Sequence, residues 1–389
     1  MLFYSAWPLG YHNVEAERKA VALAEAGFDV LYVAGIGTRN PRLSRLAKVA
    51  DRLGRRLLPS SPRSAPPSSR VDGLRTAGLL VIPPRQWSVL RRLNRAWVGR
   101  QLRAAVGDWE RAVAWVRWPT PELVDLLERR RPAAVVYESV DAYHLLPEWT
   151  PSWLAVHERA ERALVAIADV VAVSGEVLAG RYRAWGADVR VIPHGVDLFE
   201  RKPPRPDRAV PVLGFVGTLD FRLDVALLRG IARARPHWRV RLVGPVQWGF
   251  RRASVADLPN VTIEPPVAHA DLGRLLGQLD VVVTPYVREH SGPVLTPVKA
   301  LEALSAGRPL VSRPLPSLLP YADVVAFADT ADEFVEEVER ALAGDDEAAV
   351  ARRRTVAEAN DWGTRLAQVV ALVDEVAGGR LGPPGPSGR

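Results

Sequence analysis

"VLGFVGTLDFRLDVALLRGIARARPHWRVRLVG", Val212 to Gly244, is the stretch that decides the fold. It opens with an apolar run of strand length closed by a glycine. Apolar residues then recur at helical spacing from Leu223 to Ala234, and "RVRLVG" returns to strand character. Strand, helix and strand in this order form a crossover unit, which pairs its strands in parallel and covers the sheet with helices. The rhythm continues downstream through "VTI", a helix from Asp271 to Leu279, "DVVVTP", a helix inside "TPVKALEALSAGRPLVS" (Thr296 to Ser312), "PLVS" and "VVAFA".

The same alternation runs upstream. "LFYSA" is followed by an amphipathic stretch from Val14 to Ala26, ended by Gly27. Strand-like runs "DVLYVA", "LLVI", "AVAWV", "AAVVY" and "DVVAVS" come after it. Proline and charge in "RKPPRPDRAV", Arg201 to Val210, mark a linker. The expectation is an α/β chain of two doubly wound, Rossmann-like domains, residues 1–200 and 211–360. Two more helices, about Thr330 to Ala343 and Asp361 to Val376, follow, and the Gly/Pro-rich tail 377–389 is expected to be disordered. A chain of 389 residues has room for both domains, and 48% hydrophobic with 25% charged residues is a globular composition.

Two segments break the rhythm. "PSSPRSAPPSSR", Pro59 to Arg70, is too rich in Pro and Ser for a core and reads as an exposed loop. "RQWSVLRRLNRAWVGRQLR", Arg85 to Arg103, sets Trp87, Leu90, Leu93 and Trp97 at roughly helical spacing among arginines. One reading is a basic amphipathic helix at a membrane surface; the other is an ordinary helix packing that stripe on its own sheet. The formal charge of +8 is concentrated here: 16 Arg and Lys stand against Asp51 and Asp72 between Arg39 and Arg103, leaving the remainder of the chain acidic. Such a region suits an anionic partner, a phospholipid surface, a lipid pyrophosphate or nucleic acid. No stretch approaches the length of a membrane-spanning helix, and "MLFYSAWPLG" lacks the basic and apolar regions of a signal peptide. The chain has no cysteine, which excludes disulfides and thiolate chemistry and fits a cytoplasmic setting.

Ligands of open parallel sheets bind beyond the carboxyl ends of the strands. There stands "GTLDFRLD", in which Gly217 and Thr218 offer close backbone approach. Arg222 can hold a phosphate, or it can pair with Asp220 or Asp224. In "TPVKALEALSAG", Thr296 caps a helix, Pro297 suits its first position and Gly307 ends it. Lys299 sits in the first turn, where acids are preferred, so an anion at the helix start would make it welcome. Glu302, three residues on, can accept two hydrogen bonds from a cis-diol such as ribose; the alternative is a surface pair with Lys299. No Walker A sequence occurs, "GIGTRN" at Gly35 lacks the third glycine of a dinucleotide fingerprint, and the seven histidines show no metal-ligand spacing.

With "VVYESVDAYH", "ADVVAVSGEVL", "VIPHGVD", "GFVGTLDFRLD", "LDVVVTPY", "PVKALEALSAGRPLVS" and a late "NDW" in this order, the chain resembles GT-B glycosyltransferases related to families 1 and 4, especially bacterial polysaccharide enzymes of the teichuronic-acid type. The likeness covers most of residues 1–376. It implies an acceptor domain followed by a donor domain, with the last helix crossing back to the first. It also implies a nucleotide-diphosphate sugar whose ribose is held by Glu302 and whose diphosphate faces Thr296, Pro297, Val298, Lys299 and Arg222, with Gly244 and Tyr286 near the nucleotide. Relatives often carry a glutamate eight positions before the ribose-binding one; here that position is Val294, which leaves retention or inversion open.

For proton transfer the candidates are Glu138 and Asp141 in "YESVD", His12 in "GYHN" and His290 in "REHSGP". The expected activity is metal-independent transfer of a sugar, without a further cofactor, to a glycan or lipid-linked acceptor in envelope polysaccharide synthesis, at the inner membrane face. A nucleotide-sugar epimerase of the same architecture and a basic nucleic-acid-binding protein are the alternatives. No helix-turn-helix, RRM or zinc pattern supports the last, so no nucleic-acid partner is expected.

Overall fold

Runs of valine and leucine too short for helices, each closed by a polar or glycine-containing turn, form two separate parallel sheets in a computed structural model of the chain. It describes residues 1–6, 9, 14–34, 71–79, 88–142, 150–200, 209–287 and 298–378. The chain divides into two compact units. The first comprises Met1–Ser174, Leu178–Ile192 and the chain from Leu366 onward; the second comprises Gly175–Val177 and Pro193–Arg365.

In the first unit the described elements are β1 (Leu2–Ser5), α1 (Val14–Glu25), β2 (Val30–Ala34), β3 (Leu74–Gly78), α2 (Ser88–Val106), β4 (Val113–Val116), α3 (Pro121–Arg129), β5 (Ala134–Ser139), α4 (Pro151–Ile167), β6 (Val170–Val173), α5 (Glu176–Arg183) and β7 (Val189–Val191). Its sheet is ordered β3-β2-β1-β4-β5-β6-β7, and every pairing is parallel. The order reverses between β1 and β4, where a doubly wound sheet opens its crevice. Phe3, Tyr32 and Trp115 stack across three neighbouring strands, with ring centroids 5.4 and 6.2 Å apart.

The second unit continues with β8 (Val212–Val216), α6 (Val225–Ala234), β9 (Arg239–Val243), β10 (Val261–Glu264), α7 (Leu272–Leu276), β11 (Val281–Thr284), α8 (Val298–Ser305), β12 (Leu310–Ser312), β13 (Val325–Phe327), α9 (Ala331–Ala343) and α10 (Glu347–Glu358). Its all-parallel sheet runs β10-β9-β8-β11-β12-β13, with the switch between β8 and β11. Helix starts are locally encoded. Asp224 accepts from the Leu227 amide at 2.9 Å to cap α6, and Thr330 with Glu333 forms a full capping box on α9. The final helix, α11 (Trp362–Ala377), leaves the second unit after Arg365; Val369, Leu372, Val373 and Ala377 join the core around Phe3 and Trp115.

Three expectations change. The third described strand of the first sheet is Leu74–Gly78, which the sequence did not mark; of "LLVI" only Leu79 is described. As an edge strand with a largely exposed face, it carries no apolar run to announce it. Residues 193–200, read as the end of the first domain, belong to the second. Ser305 Oγ accepts from the Phe199 amide (2.8 Å) and donates to the Asp197 carbonyl (2.6 Å), while Arg354 donates to the carbonyls of Phe199 and Ser305. Helix α2 exists, but its buried face is Asn94, Val98 and Leu102, packed toward α3, with Gly99 against Leu126. Leu93 and Trp97, expected among the inward stripe on one reading, point outward at 52% and 46% exposure. Trp87 lies outside the described residues, as do the 59–70 loop, most of the 201–210 linker and the tail beyond Gly378.

Candidate active site

The second unit gathers its chemistry at the β8/β11 switch. β8 and β9 end in Gly217 (φ +148°) and Gly244 (φ +150°), backbone conformations that side chains disfavour. A Cβ on Gly244 would strike the Gly217 carbonyl, and one on Gly217 would land on the terminal carbons and amine of Lys299. Both positions are therefore glycine because two strand ends and a lysine share one small space. The loop after Gly217 is stitched to its neighbours: Leu219 N donates to Pro245 O and Asp224 N to Pro285 O (both 2.9 Å), and Val287 N donates to Arg222 O (2.8 Å).

Lys299 lies in the first turn of α8 and reaches across the Gly217 backbone. Its ammonium sits 4.9 Å from the ring centre of Phe215 and 5.6 Å from that of Tyr286, two rings that meet edge to face at 5.9 Å. Among the described residues it has no salt-bridge partner, Glu302 included. Aromatic faces hold the charge in place without neutralising it. Tyr286 is buried, so it forms the floor under the lysine; its hydroxyl and that of Thr284 at the end of β11 are buried without a hydrogen-bond partner among the described residues.

One turn along α8 stands Glu302. Burial pushes its pKa up, and the charges of His269 and Lys299 pull it part of the way back, while Asp197 adds to the rise. Asp197 Oδ2 and His269 Nε2, whose charges both act on Glu302, are themselves paired 2.5 Å apart. Asp197 lies in "VIPHGVD" and His269 in no motif, and no local pattern links residues 72 positions apart.

Arg222 takes the second of its sequence readings. Its Nε lies 3.0 and 3.1 Å from the two carboxylate oxygens of Asp220, and its Nη2 lies 2.5 Å from one of them. Any phosphate contact from Arg222 would be shared with Asp220. Asp224 pairs with Arg313 at 2.9 Å instead. Thr218 and Val298 are half-buried at the same end of the sheet. Thr296, Pro297, His290 and Val294 fall outside the described residues, as does His12 in the first unit.

In the first unit Glu138 departs from its proposed role as a base. It is buried in β5, ion-paired to Lys19 and to Arg117 Nε (2.7 Å), and it accepts from Trp115 Nε1 (2.6 Å). Glu15 completes the cluster through Lys19 (2.5 Å) and Arg117 (3.4 Å). Burial alone would lower the Lys19 pKa, yet the Glu138 and Glu15 carboxylates outweigh it and raise it. A buried carboxylate with both oxygens engaged by two cations and an indole has the partners of a structural hub. Asp141, just past the strand, is exposed. Among the described residues no cluster of three or more His, Asp or Glu has metal-ligand geometry.

A family model described as "Glycosyl transferase-like" matches residues 222–371. The chain is 26% identical over 297 residues, 69% of its own length and 74% of the relative's, to TuaH of Bacillus subtilis (strain 168), named as a teichuronic acid biosynthesis glycosyltransferase. Among solved structures, a glycosyltransferase from Rickettsia africae ESF-5 superposes with a TM-score of 0.63 at 11% identity, covering 96% of this chain and 98% of that one. WaaG, a glycosyltransferase involved in lipopolysaccharide biosynthesis, superposes at 0.62 with 16% identity, covering 96% and 99%. At these identities the structural likeness is one of fold.

Proposed function

We propose, from the premise that the chain is a glycosyltransferase of GT-B architecture, that its second unit binds a nucleotide-diphosphate sugar at the β8/β11 switch and releases the diphosphate as the sugar moves to an acceptor. The observation that carries this reading is Lys299, a cation with no salt-bridge partner among the described residues, lying over the Gly217 backbone one turn before the half-buried carboxylate of Glu302. Lys299 and the first amides of α8 stabilise the charge that develops on the departing diphosphate, while Glu302 accepts the ribose hydroxyls. Gly217, Thr218, Gly244 and Val298 bring backbone close to the phosphates, with Arg222 contributing alongside Asp220. Thr296, Pro297 and His290 belong to the same reading on sequence grounds. Asp141 replaces Glu138 as the acidic group for the acceptor hydroxyl, with His12 beside it in the same proposal.

The acceptor is a glycan or lipid-linked glycan of envelope polysaccharide synthesis, in keeping with the TuaH relative. No helix among the described residues is long and apolar enough to cross a membrane. The enzyme works as a peripheral protein on an anionic inner membrane face, with no obligatory metal and no nucleic-acid partner. A thermal-shift screen of nucleotide sugars tests the donor half, because a ligand that binds only the folded state raises its melting temperature. One donor should do so and then yield a glycosylated product by mass. An isomerised sugar from donor alone would assign an epimerase, and no shift with any donor would overturn the reading.

A further inference from the structure

Helix α2 carries an outer face that no part of the donor site uses. Val89, Leu93 and Trp97 are spaced four apart, so they line one side of the helix, and they are 66%, 52% and 46% exposed. Exposing three large apolar side chains in one stripe is costly in water and unnecessary for the fold, because the opposite face already buries Asn94, Val98 and Leu102 completely. Arg92 and Arg100 lie exposed beside the stripe, and neither has an acidic partner among the described residues. Arg103 flanks them, donating to the Gly99 carbonyl at 3.2 Å. Arg95, by contrast, turns to the side and pairs with Asp125 of α3 at 3.2 Å. No acid occurs anywhere in the nineteen residues of the helix.

We infer that this face of α2 is the surface by which the protein docks on an anionic phospholipid bilayer, with the long axis of the helix in the membrane plane. Leu93, Val89 and Trp97 enter the boundary between headgroups and acyl chains, and Arg92 and Arg100 meet lipid phosphates. The apolar stripe decides the partner. A nucleic-acid surface uses the arginines and can stack a base on Trp97 but gains nothing from exposed Val89 and Leu93, whereas a bilayer uses all of them. Zwitterionic lipid would take the stripe and leave the arginines unpaid for, so the complement to the whole face is anionic. This assignment rests on the peripheral-membrane part of the function proposed above and specifies which surface performs it.

Co-sedimentation of the full-length protein with phosphatidylcholine vesicles, and with vesicles containing phosphatidylglycerol, tests the assignment. The unaltered protein should bind the anionic vesicles and prefer them to the neutral ones. Arg92→Gln with Arg100→Gln should lower the partition coefficient roughly 25-fold, about fivefold for each basic residue lost. Lysine at both positions should restore binding, since charge alone meets the phosphate there. Leu93→Ala with Trp97→Ala should lower binding to anionic vesicles on the order of tenfold. All these substitutions are on the surface, so melting temperature and the nucleotide-induced shift should stay where they were. If the unaltered protein ignores both vesicles, the membrane reading and this face fall together. Should it bind anionic vesicles as tightly after either pair of substitutions as before, the face is wrong and the docking surface lies elsewhere. Binding of duplex RNA with a steep salt dependence, in the absence of vesicle binding, would also overturn the assignment.

Discussion

Replacing Lys299 by alanine should separate ligand binding from folding. In the folded protein the ammonium contributes two cation–π contacts, at 4.9 and 5.6 Å from the ring centres of Phe215 and Tyr286, and no salt bridge among the described residues. Losing such contacts at a half-buried position costs on the order of 1 kcal/mol of stability. Losing a charge-assisted contact to a diphosphate costs about 1.5–3 kcal/mol of binding, or roughly 10- to 150-fold in affinity. Calorimetry with the cognate nucleoside diphosphate and urea denaturation of the same samples give the two quantities side by side. Gly217→Ala provides an independent route to the same lysine, because its Cβ would occupy the space of the Lys299 amine. The double substitution should therefore cost less affinity than the sum of the singles, as expected of groups acting on one contact. A less than twofold loss of affinity in Lys299→Ala, or strict additivity with Gly217→Ala, would refute the reasoning.

Glu302→Gln should weaken nucleotide binding and yet raise the melting temperature at neutral pH. The folded state raises the Glu302 pKa above its ordinary 4.5, so the folded protein holds the proton more tightly than the unfolded chain. Ionisation then costs stability in full above the folded-state pKa, and the cost vanishes below the unfolded one. The stabilising effect of glutamine should accordingly fade as pH falls through 4.5, and a difference independent of pH would contradict the assigned cause. Glu138→Ala, which leaves Lys19 and Arg117 buried with only Glu15, should cost about 3–5 kcal/mol by denaturation, against under 1 kcal/mol if the cluster were incidental. A chelator added to the purified enzyme should leave its transfer rate unchanged, and restoration of a lost rate by a divalent cation would reverse the metal-independent proposal.

What could be read in the sequence follows from how local its cause is. The β8–α6–β9 unit was legible because Asp224 caps its helix and apolar spacing marks each element. A lysine in a first turn, where acids are preferred, is what marked the candidate site. The edge strands of the first sheet were not legible, unlike "VTI" and "VVAFA" at the edges of the second: β3 is "LRTAG" and β7 is "VRV", neither of them an apolar run. The sequence leaves the inward face of α2 open between two readings because an outward Leu and Trp have the same spacing as inward ones; packing against α3 tells them apart. Glu138 looked like a free acid at a strand end. Its partners Lys19, Trp115 and Arg117 lie 119, 23 and 21 residues away, out of reach of any local pattern.

The central claim is that the second unit holds the nucleotide of a sugar donor through Lys299 and Glu302. Titrating the intact protein calorimetrically with UDP, GDP, TDP and ADP tests it most directly. The account predicts that one of them binds with one-to-one stoichiometry and that the same titration is markedly weakened in Glu302→Ala while the protein stays folded. The absence of binding heat for all four, or full-strength binding in the variant, would contradict it.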